Sequence, residues 1–147
     1  MYLNGQYSHS IDQKNRLSVP TKLKNEIGLE LVVCLPTNGE DKCLYIYSKS
    51  DWLAIVESCN NTLEGMERTK MQRFLGMNSD NVSPDAQGRI IINQNLLDKA
   101  NITKDVLIFG AGQRIEIWAP GEWDKFMDKE LKKEQESGGS VVFHMPI

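Results

Sequence analysis

The chain has 147 residues, of which 40% are hydrophobic and 25% charged, and its formal net charge is -3. This length suits one globular domain, or two small units that share a core, and argues against two independent large domains. The negative charge argues against a monomer that coats nucleic acid by bulk charge. There is no apolar run near the roughly 18 residues of a membrane span, and the opening MYLNGQYSHS lacks the features of a signal peptide. We therefore expect a cytoplasmic protein.

A short motif occurs twice along the chain. DQKNR at residues 12–16 has a near twin in DAQGR at residues 85–89, and an apolar run follows each copy. The offset of 73 residues that aligns the motifs also aligns Leu17 with Ile90 and Leu23 with Leu96. After a loop that is shorter in the second copy, an offset of 71 aligns Ile46 with Ile117 and Trp52 with Trp123. The pattern indicates an internal duplication.

Both copies predict the same elements in the same order. A strand reaches the Asp turn, a short β-branched strand leaves it, a short helix follows, and two apolar strands are joined by a Gly-containing loop. Pro20 suits the first position of the first short helix and Gly28 its C-terminal cap. Asn93 suits the N-cap of the second short helix and Asn101 its end. The predicted strands are 6–11, 16–19, 29–35 and 43–47 in the first copy, and 77–82, 89–92, 105–110 and 114–118 in the second.

Amphipathic helices are predicted after each copy and between the copies. Ser50 is the expected cap of the first, and Pro120 precedes the last. Residues 62–76 place apolar side chains at helical spacing and stop at Gly76. These stripes favour core or inter-subunit packing over a cofactor site. The tail from Lys132 ends in an apolar stretch, either a flexible end or an edge strand that docks on a neighbour.

Two positions of each motif, the aspartate and the fourth residue, have a physical reason for their residue type. An Asp side chain can accept hydrogen bonds from backbone N–H groups that follow it, which fixes a tight bend, so Asp12 and Asp85 are assigned to shaping the turns. Gly88 and Asn15, at matching positions, suit a backbone with positive φ. The shared Gly and Asn predict one backbone shape for both copies.

The arginine of each motif has two possible interpretations. Arg16 could pair with Asp12, and Arg89 with Asp85, as ion pairs that hold the turns. An exposed pair of this kind contributes only about 0–1 kcal/mol. In the first copy Lys14 stands beside Arg16, and Lys22 and Lys24 follow on the short helix, so this loop has both phosphate-binding groups and donors for base edges.

Four features occur together: the two D-x-x-x-R turns, the RLSVP after the first, the F-L-G ahead of the second and the Trp-bearing helices. In this combination the chain resembles the MraZ family of bacterial transcriptional regulators. The likeness runs from about Leu3 to Leu131. It implies an α+β fold: a duplicated AbrB-like, swapped-hairpin (double-psi-like) β-barrel flanked by short helices. It also implies ring-shaped homo-oligomers that bind double-stranded DNA at promoter direct repeats, associate with the nucleoid and repress the protein's own division and cell-wall gene cluster.

Residue by residue, the resemblance assigns DNA binding to Lys14, Asn15 and Arg16. Asp12 is the turn residue of the first motif, and Asp85, Gly88 and Arg89 belong to the second. Asn15 stands where the family often has Gly, and Gln87 stands where a basic residue is expected. The predicted division of the chain is repeat 1 at 5–50, linking helices at 51–76, repeat 2 at 77–121, and a C-terminal helix and tail at 122–147.

Two rival functions remain open. An enzyme is disfavoured because the two histidines lie at opposite ends of the chain and because no G-x-S-x-G, phosphate-binding glycine loop or His/Cys metal spacing is found in the sequence. We therefore predict no catalysis, cofactor or metal, and expect reduced, small-residue roles for the three cysteines. The stronger rival is an oligomeric protein-interaction module without DNA affinity, in the family context an antagonist of a ribosomal RNA methyltransferase. The basic loop from Lys14 to Arg16 discriminates between this module and a DNA-binding regulator.

Overall fold

The computed structural model describes residues 1–137 and contains two copies of a strand, strand, helix, strand, strand unit. Each unit ends in a longer helix, and one further helix joins the units. The first unit with the joining helices comprises β1 (Gln6–Ser10), β2 (Arg16–Ser18), α1 (Thr21–Ile27), β3 (Leu31–Cys34), β4 (Leu44–Ser48), α2 (Lys49–Thr62) and α3 (Gly65–Met77). The second comprises β5 (Ser79–Val82), β6 (Arg89–Ile91), α4 (Gln94–Lys99), β7 (Asp105–Gly110), β8 (Ile115–Trp118) and α5 (Pro120–Ser137).

The helix ends follow the predicted signals with small corrections. Asn93 is the N-cap of α4, its side chain accepting from the backbone N–H of Asn95, and Gly28 is the C-cap of α1. Pro20 is the N-cap of α1 and not its first helical residue, because its ψ of 132° is extended. The cap of α2 is Ser48 and not Ser50: its hydroxyl accepts from the backbone N–H of Asp51 at 3.2 Å.

The two units exchange their first strands. The larger sheet has the order β1-β7-β8-β4-β3-β5, so β1 of the first unit pairs with β7 of the second and β5 pairs with β3. All of these pairings are antiparallel. In the middle, β4 pairs with β8, and Tyr45 lies opposite Glu116, its counterpart in the repeat alignment. The order reads the same from both ends, so the sheet has an approximate twofold axis at its centre.

The strands do not form the closed barrel that the family resemblance led us to expect. The six-stranded sheet is open, because its terminal strands β1 and β5 each pair on one side only within residues 1–137. Strands β2 and β6 are three residues each and pair with one another as a separate ribbon. The α+β class and the two repeats are confirmed, whereas the swapped-hairpin barrel is not confirmed, because the strands form an open sheet and a separate ribbon.

The core lies between the sheet and the ribbon. Alternate residues of the strands point into it, among them Leu31, Ile46 and Ile117, together with Leu17 and Ile90 of the ribbon. The opposite face of the sheet is covered by long helices, where Trp118 packs against Trp123 and Phe126 of α5. Burial of both faces explains why β3 is a continuous apolar run and why all four residues of β8 are buried. The ribbon and the short helices therefore lie on the side of the core away from α5.

The joining helices α2 and α3 are largely exposed, so of the two packing roles predicted for their apolar stripes, core and inter-subunit, the core role is the smaller. The single helix predicted over 62–76 begins at Gly65, since α2 continues to Thr62 and the chain is extended at Leu63 and Glu64. α2 has no buried residue, and in α3 Leu75 alone is buried. Leu53 and Met66 are 54% and 60% exposed. These apolar side chains leave an uncovered surface on the helix pair.

Two further sequence predictions concern the thiols and the tail. Cys34 and Cys43 are buried and Cys59 is half-buried, all as free thiols, as expected. Over residues 1–137, no helix has both the length and the apolar character needed to cross a membrane. The predicted apolar tail, residues 141–147, lies outside the described residues.

Candidate nucleic-acid interface

The first Asp turn is closed by the Asp12 carboxylate. One oxygen, Oδ1, accepts from the backbone N–H of Lys14 at 2.9 Å and of Arg16 at 2.8 Å, while Oδ2 accepts from Arg16 Nε at 2.6 Å. Backbone bonds from Asp12 N to Arg16 O and from Asn15 N to Asp12 O close the same loop. Asn15 has a φ of 60°, a conformation that Asn tolerates better than most side chains. These side-chain bonds reach the backbone N–H groups two and four residues ahead of Asp12.

The second turn repeats this geometry nearly atom for atom. Asp85 Oδ1 accepts from the backbone N–H of Gln87 and of Arg89, each at 2.9 Å, and Oδ2 accepts from Arg89 Nε at 3.1 Å. Gly88 has a φ of 78°, where a side chain would be strained. The two pentapeptides are therefore the same structural device.

These bonds stabilise the ionised carboxylates. The backbone N–H of Arg16 is the largest cause that lowers the pKa of Asp12, and the backbone N–H of Arg89 does the same for Asp85. Hydrogen bonds to a charged form favour that form. Both turns thus keep a negative carboxylate paired with an arginine at neutral pH.

The arginines are part of the turns as well as of the surface. The side chain of Arg16 is 29% exposed and that of Arg89 is 28% exposed. In each turn the Nε–H of the arginine donates to the aspartate carboxylate of the same turn. A guanidinium has other N–H donors that this contact does not use. An arginine held in this way is oriented in advance, so it loses little side-chain entropy when it binds a second partner.

The β2–β6 ribbon brings the two turns to one surface. Arg16 lies opposite Ile91 and Ser18 opposite Arg89, while Leu17 lies opposite Ile90 at the centre. Leu17 and Ile90 face the core, so the alternating residues face outward. The outward face thus carries two arginines at diagonal corners, related by the approximate twofold axis of the ribbon.

Each turn rests on an element of the other repeat. Asn15 Nδ2 donates to Gln94 Oε1 at 3.0 Å, and Ile92 N donates to Asn15 O at 2.9 Å. In return, Val19 N donates to Gly88 O at 2.9 Å. The predicted site residues of the first and second motifs therefore belong to one surface, although 73 residues separate them in the chain.

Charge is distributed unequally over this surface. Lys14 is exposed and its side chain takes no part in the turn, whose bond uses its backbone N–H. Gln87 is its uncharged counterpart in the second turn. Ile91, which sequence reasoning did not single out, is 62% exposed beside Arg16. Strand alternation, which buries the isoleucines on either side, turns the side chain of Ile91 outward.

Over residues 1–137, no group of three or more His, Cys, Asp or Glu side chains is placed to hold a metal ion. The chemistry offered by the ribbon and its turns is that of cations and hydrogen-bond donors on a small, ordered surface. Such a surface fits an anionic partner with regularly spaced charges.

Known proteins with similar sequences were found over most of the chain. The family model described as "MraZ protein, putative antitoxin-like" matches twice, at residues 2–74 and 75–138. A protein of Clostridium tetani (strain Massachusetts / E88) named Transcriptional regulator MraZ is 36% identical over 132 residues, which cover 89% of this chain and 91% of that protein. A protein of the same name from Heliobacterium modesticaldum (strain ATCC 51547 / Ice1) is 35% identical over 143 residues, covering 94% and 95%.

Proposed function

The chain belongs to the MraZ family, and from that premise we propose that it is a sequence-specific DNA-binding transcriptional regulator. In this proposal it represses its own division and cell-wall gene cluster by binding tandem repeats in the promoter. The relatives are named transcriptional regulators, which supports the general role. The promoter repeats and the self-repression are the specific content of the proposal.

The observation that carries the proposal is the first turn. Lys14 is exposed and contributes only its backbone to the turn, so the structural role of the loop does not explain its ammonium group. Arg16 lies beside it on a two-stranded ribbon. The major groove of B-DNA is about 12 Å wide and admits a two-stranded β-ribbon. Lys14 would bind phosphate, and Asn15 and Arg16 would supply donors to base edges.

Arg16 also holds the turn through Asp12, so its substitution alone is an ambiguous test. Loss of DNA affinity in Arg16→Ala would follow from a lost contact or from a disturbed loop. Lys14→Ala avoids this ambiguity, since the backbone N–H that Asp12 binds is unchanged. Lys14 is therefore the residue on which the experiment depends.

A homo-oligomer, in the form of a ring, explains how an acidic chain would bind DNA. Each added copy of the turn makes its contact within an assembly that is already bound, which raises the overall affinity for repeated sites. The uncovered apolar side chains of α2 and α3 support subunit contact through these helices, since exposed apolar surface favours protein association.

The test measures fluorescence anisotropy of a labelled duplex from directly upstream of the gene, at several salt concentrations. The wild-type protein should bind tightly to several repeats and weakly to one, with an affinity that falls steeply as salt rises. Lys14→Ala should lower the affinity and reduce the salt slope by about one. Lys125→Ala is the charge-matched control, because this exposed lysine lies on α5, away from the ribbon.

The rival, a protein-interaction module without DNA affinity, makes the opposite prediction. It requires no salt-dependent binding of the duplex by the wild-type protein and unchanged partner binding after Lys14→Ala. Equal affinity for one repeat and for several would contradict the ring-avidity part of the proposal while leaving DNA binding intact.

A further inference from the structure

The second turn has a lysine that its own sequence does not provide. In α1 of the first repeat, Lys24 places its Nζ 3.5 Å and its Cδ 3.8 Å from the position that a Cβ on Gly88 would occupy. The second turn itself carries Gln87 where a basic residue is expected. The positive charge that Gln87 lacks is therefore supplied by Lys24, which belongs to the other repeat.

The strand pairing explains this position. Because β2 and β6 run antiparallel, the end of β2 lies beside the start of β6 and therefore beside the second turn. α1 follows β2 after two residues and is tied to the turn by the bond from Val19 N to Gly88 O. At the matching position of α4, which lies beside the first turn, the repeat alignment places the buried Leu97. Each turn thus has a nearby lysine at this ribbon, Lys14 from the loop in the first and Lys24 from α1 in the second.

The ammonium of Lys24 has no structural role that would explain it. Among the described residues no carboxylate forms an ion pair with it. Its side chain is half-buried against the turn, so its stem is partly ordered before any partner arrives. A lysine ordered in this way loses less side-chain entropy on binding than a fully exposed one.

We infer that Lys24 binds a DNA phosphate beside the second turn, so that the chain grips DNA at both ends of the ribbon. This inference rests on the proposed DNA-binding function. Three residues of strand span about 10 Å, which is close to the width of about 12 Å of a major groove. With the ribbon directed into the groove, the turns at its two ends face phosphates on opposite walls. Lys14 serves one wall and Lys24 the other.

The test compares Lys24→Gln with Lys22→Gln in the same salt-dependent anisotropy assay. Lys22 is on the same short helix, but its Nζ lies 3.0 Å from Asn4 Oδ1, in the N-terminal segment. Two residues along a helix point in nearly opposite directions. Lys24→Gln should reduce the salt slope by about one and weaken binding to promoter and scrambled duplexes alike, as a phosphate contact does. Lys22→Gln should retain the wild-type slope.

A compensating change places the contact at the second turn. Adding Gln87→Lys to Lys24→Gln should restore the slope, because it moves a positive charge back to the same turn. Unfolding midpoints that match wild type would show that the loss in Lys24→Gln comes from binding and not from stability.

The outcomes separate the inference from the function on which it rests. An unchanged slope in Lys24→Gln, with weakened binding in Lys14→Ala, overturns the inference and leaves DNA binding standing. A loss that Gln87→Lys fails to restore also overturns it. A wild-type protein that binds neither duplex refutes the proposed function itself.

Discussion

Substitution of Glu116 should reveal how well water is excluded from the outer face of the sheet, the face that α5 covers. Glu116 lies on β8 at the centre of the sheet and accepts from Arg114 Nε and from Trp118 Nε1, each at 2.9 Å, while Arg114 Nη2 forms an ion pair with it at 2.8 Å. Arg114 in turn lies 4.0 Å above the ring of Tyr45, the residue opposite Glu116 in the strand pairing. We compare Glu116→Leu, which removes every acceptor, with Glu116→Gln, which retains one.

The expected cost follows from the burial of each partner. Trp118 is 2% exposed, so its indole N–H has no access to water once Glu116 is gone, and an unpaired buried donor costs about 1–3 kcal/mol. The Arg114 side chain is 34% exposed and can be hydrated again, so we assign the lost pair only about 1 kcal/mol, well below a fully buried pair. Glu116→Leu should therefore cost about 2–4 kcal/mol. Glu116→Gln should cost about 1 kcal/mol, because its carbonyl oxygen still accepts from Trp118.

Urea denaturation followed by tryptophan fluorescence measures both costs. The protein concentration must be the same throughout, because subunit association would shift the midpoint. Glu67→Gln is the matched control: its pair with Lys70 is exposed and spans 3.6 Å, and should contribute about 0–1 kcal/mol. If Glu116→Leu were no more destabilising than Glu67→Gln, water would have to reach the Trp118 indole and our account of the outer face would be wrong.

Three further predictions concern backbone packing, pH and thiol reactivity. Gly110→Ala should lower the free energy of unfolding by about 1–3 kcal/mol, because the added Cβ would collide with the backbone of the N-terminal segment. Gly76→Ala is the control, since a Cβ there would meet no atom within 4 Å and should cost little. Equal effects of the two substitutions would contradict this prediction. The pKa of Asp12 is below its ordinary value of about 3.9, so its contribution to stability is fully present above that pH and is lost as pH falls through the lowered pKa. An NMR titration should find the pKa still lowered in Arg16→Ala, because the backbone N–H is the largest cause, and a return to the ordinary value would refute that cause. Alkylation at mildly alkaline pH, read by peptide mass, should label Cys59 first, because the other two thiols are buried and burial raises their pKa; uniform labelling without denaturant would contradict this.

Local sequence signals predicted the elements well because short-range chemistry determines them. The Asp turn is a contact over four residues, and Gly88 and Asn15 mark its backbone conformation. Asn93 was identified as a cap for the same reason. The error at Ser50 arose because Ser48, two residues earlier, is equally able to cap and lies where β4 ends. Choices of this kind depend on where the preceding strand stops, which the local pattern does not record.

The pairing of the strands was beyond the sequence. Periodicity places Leu17 and Ile90 on inward faces but does not say that they lie opposite one another. The exchange of β1 and β5 between the units is a long-range arrangement for which the offset of 73 residues gives no direct signal. The closed barrel was expected from family resemblance, and the open edges of the sheet depend on pairing that no local motif encodes. The position of Lys24 beside the second turn depends on the same pairing.

Because the two units exchange their first strands, each turn depends on the other repeat for its position. Each turn is stabilised by its own aspartate but is positioned by the other repeat, the first through Gln94 and the second through Val19. The backbone is nearly twofold symmetric while the lysines are not, so the halves are alike in structure and unlike in charge. Deleting either repeat would remove one turn and also the support of the other. The two turns therefore form one surface of a single folded unit, and a chain that lacks either repeat is expected to lose both turns.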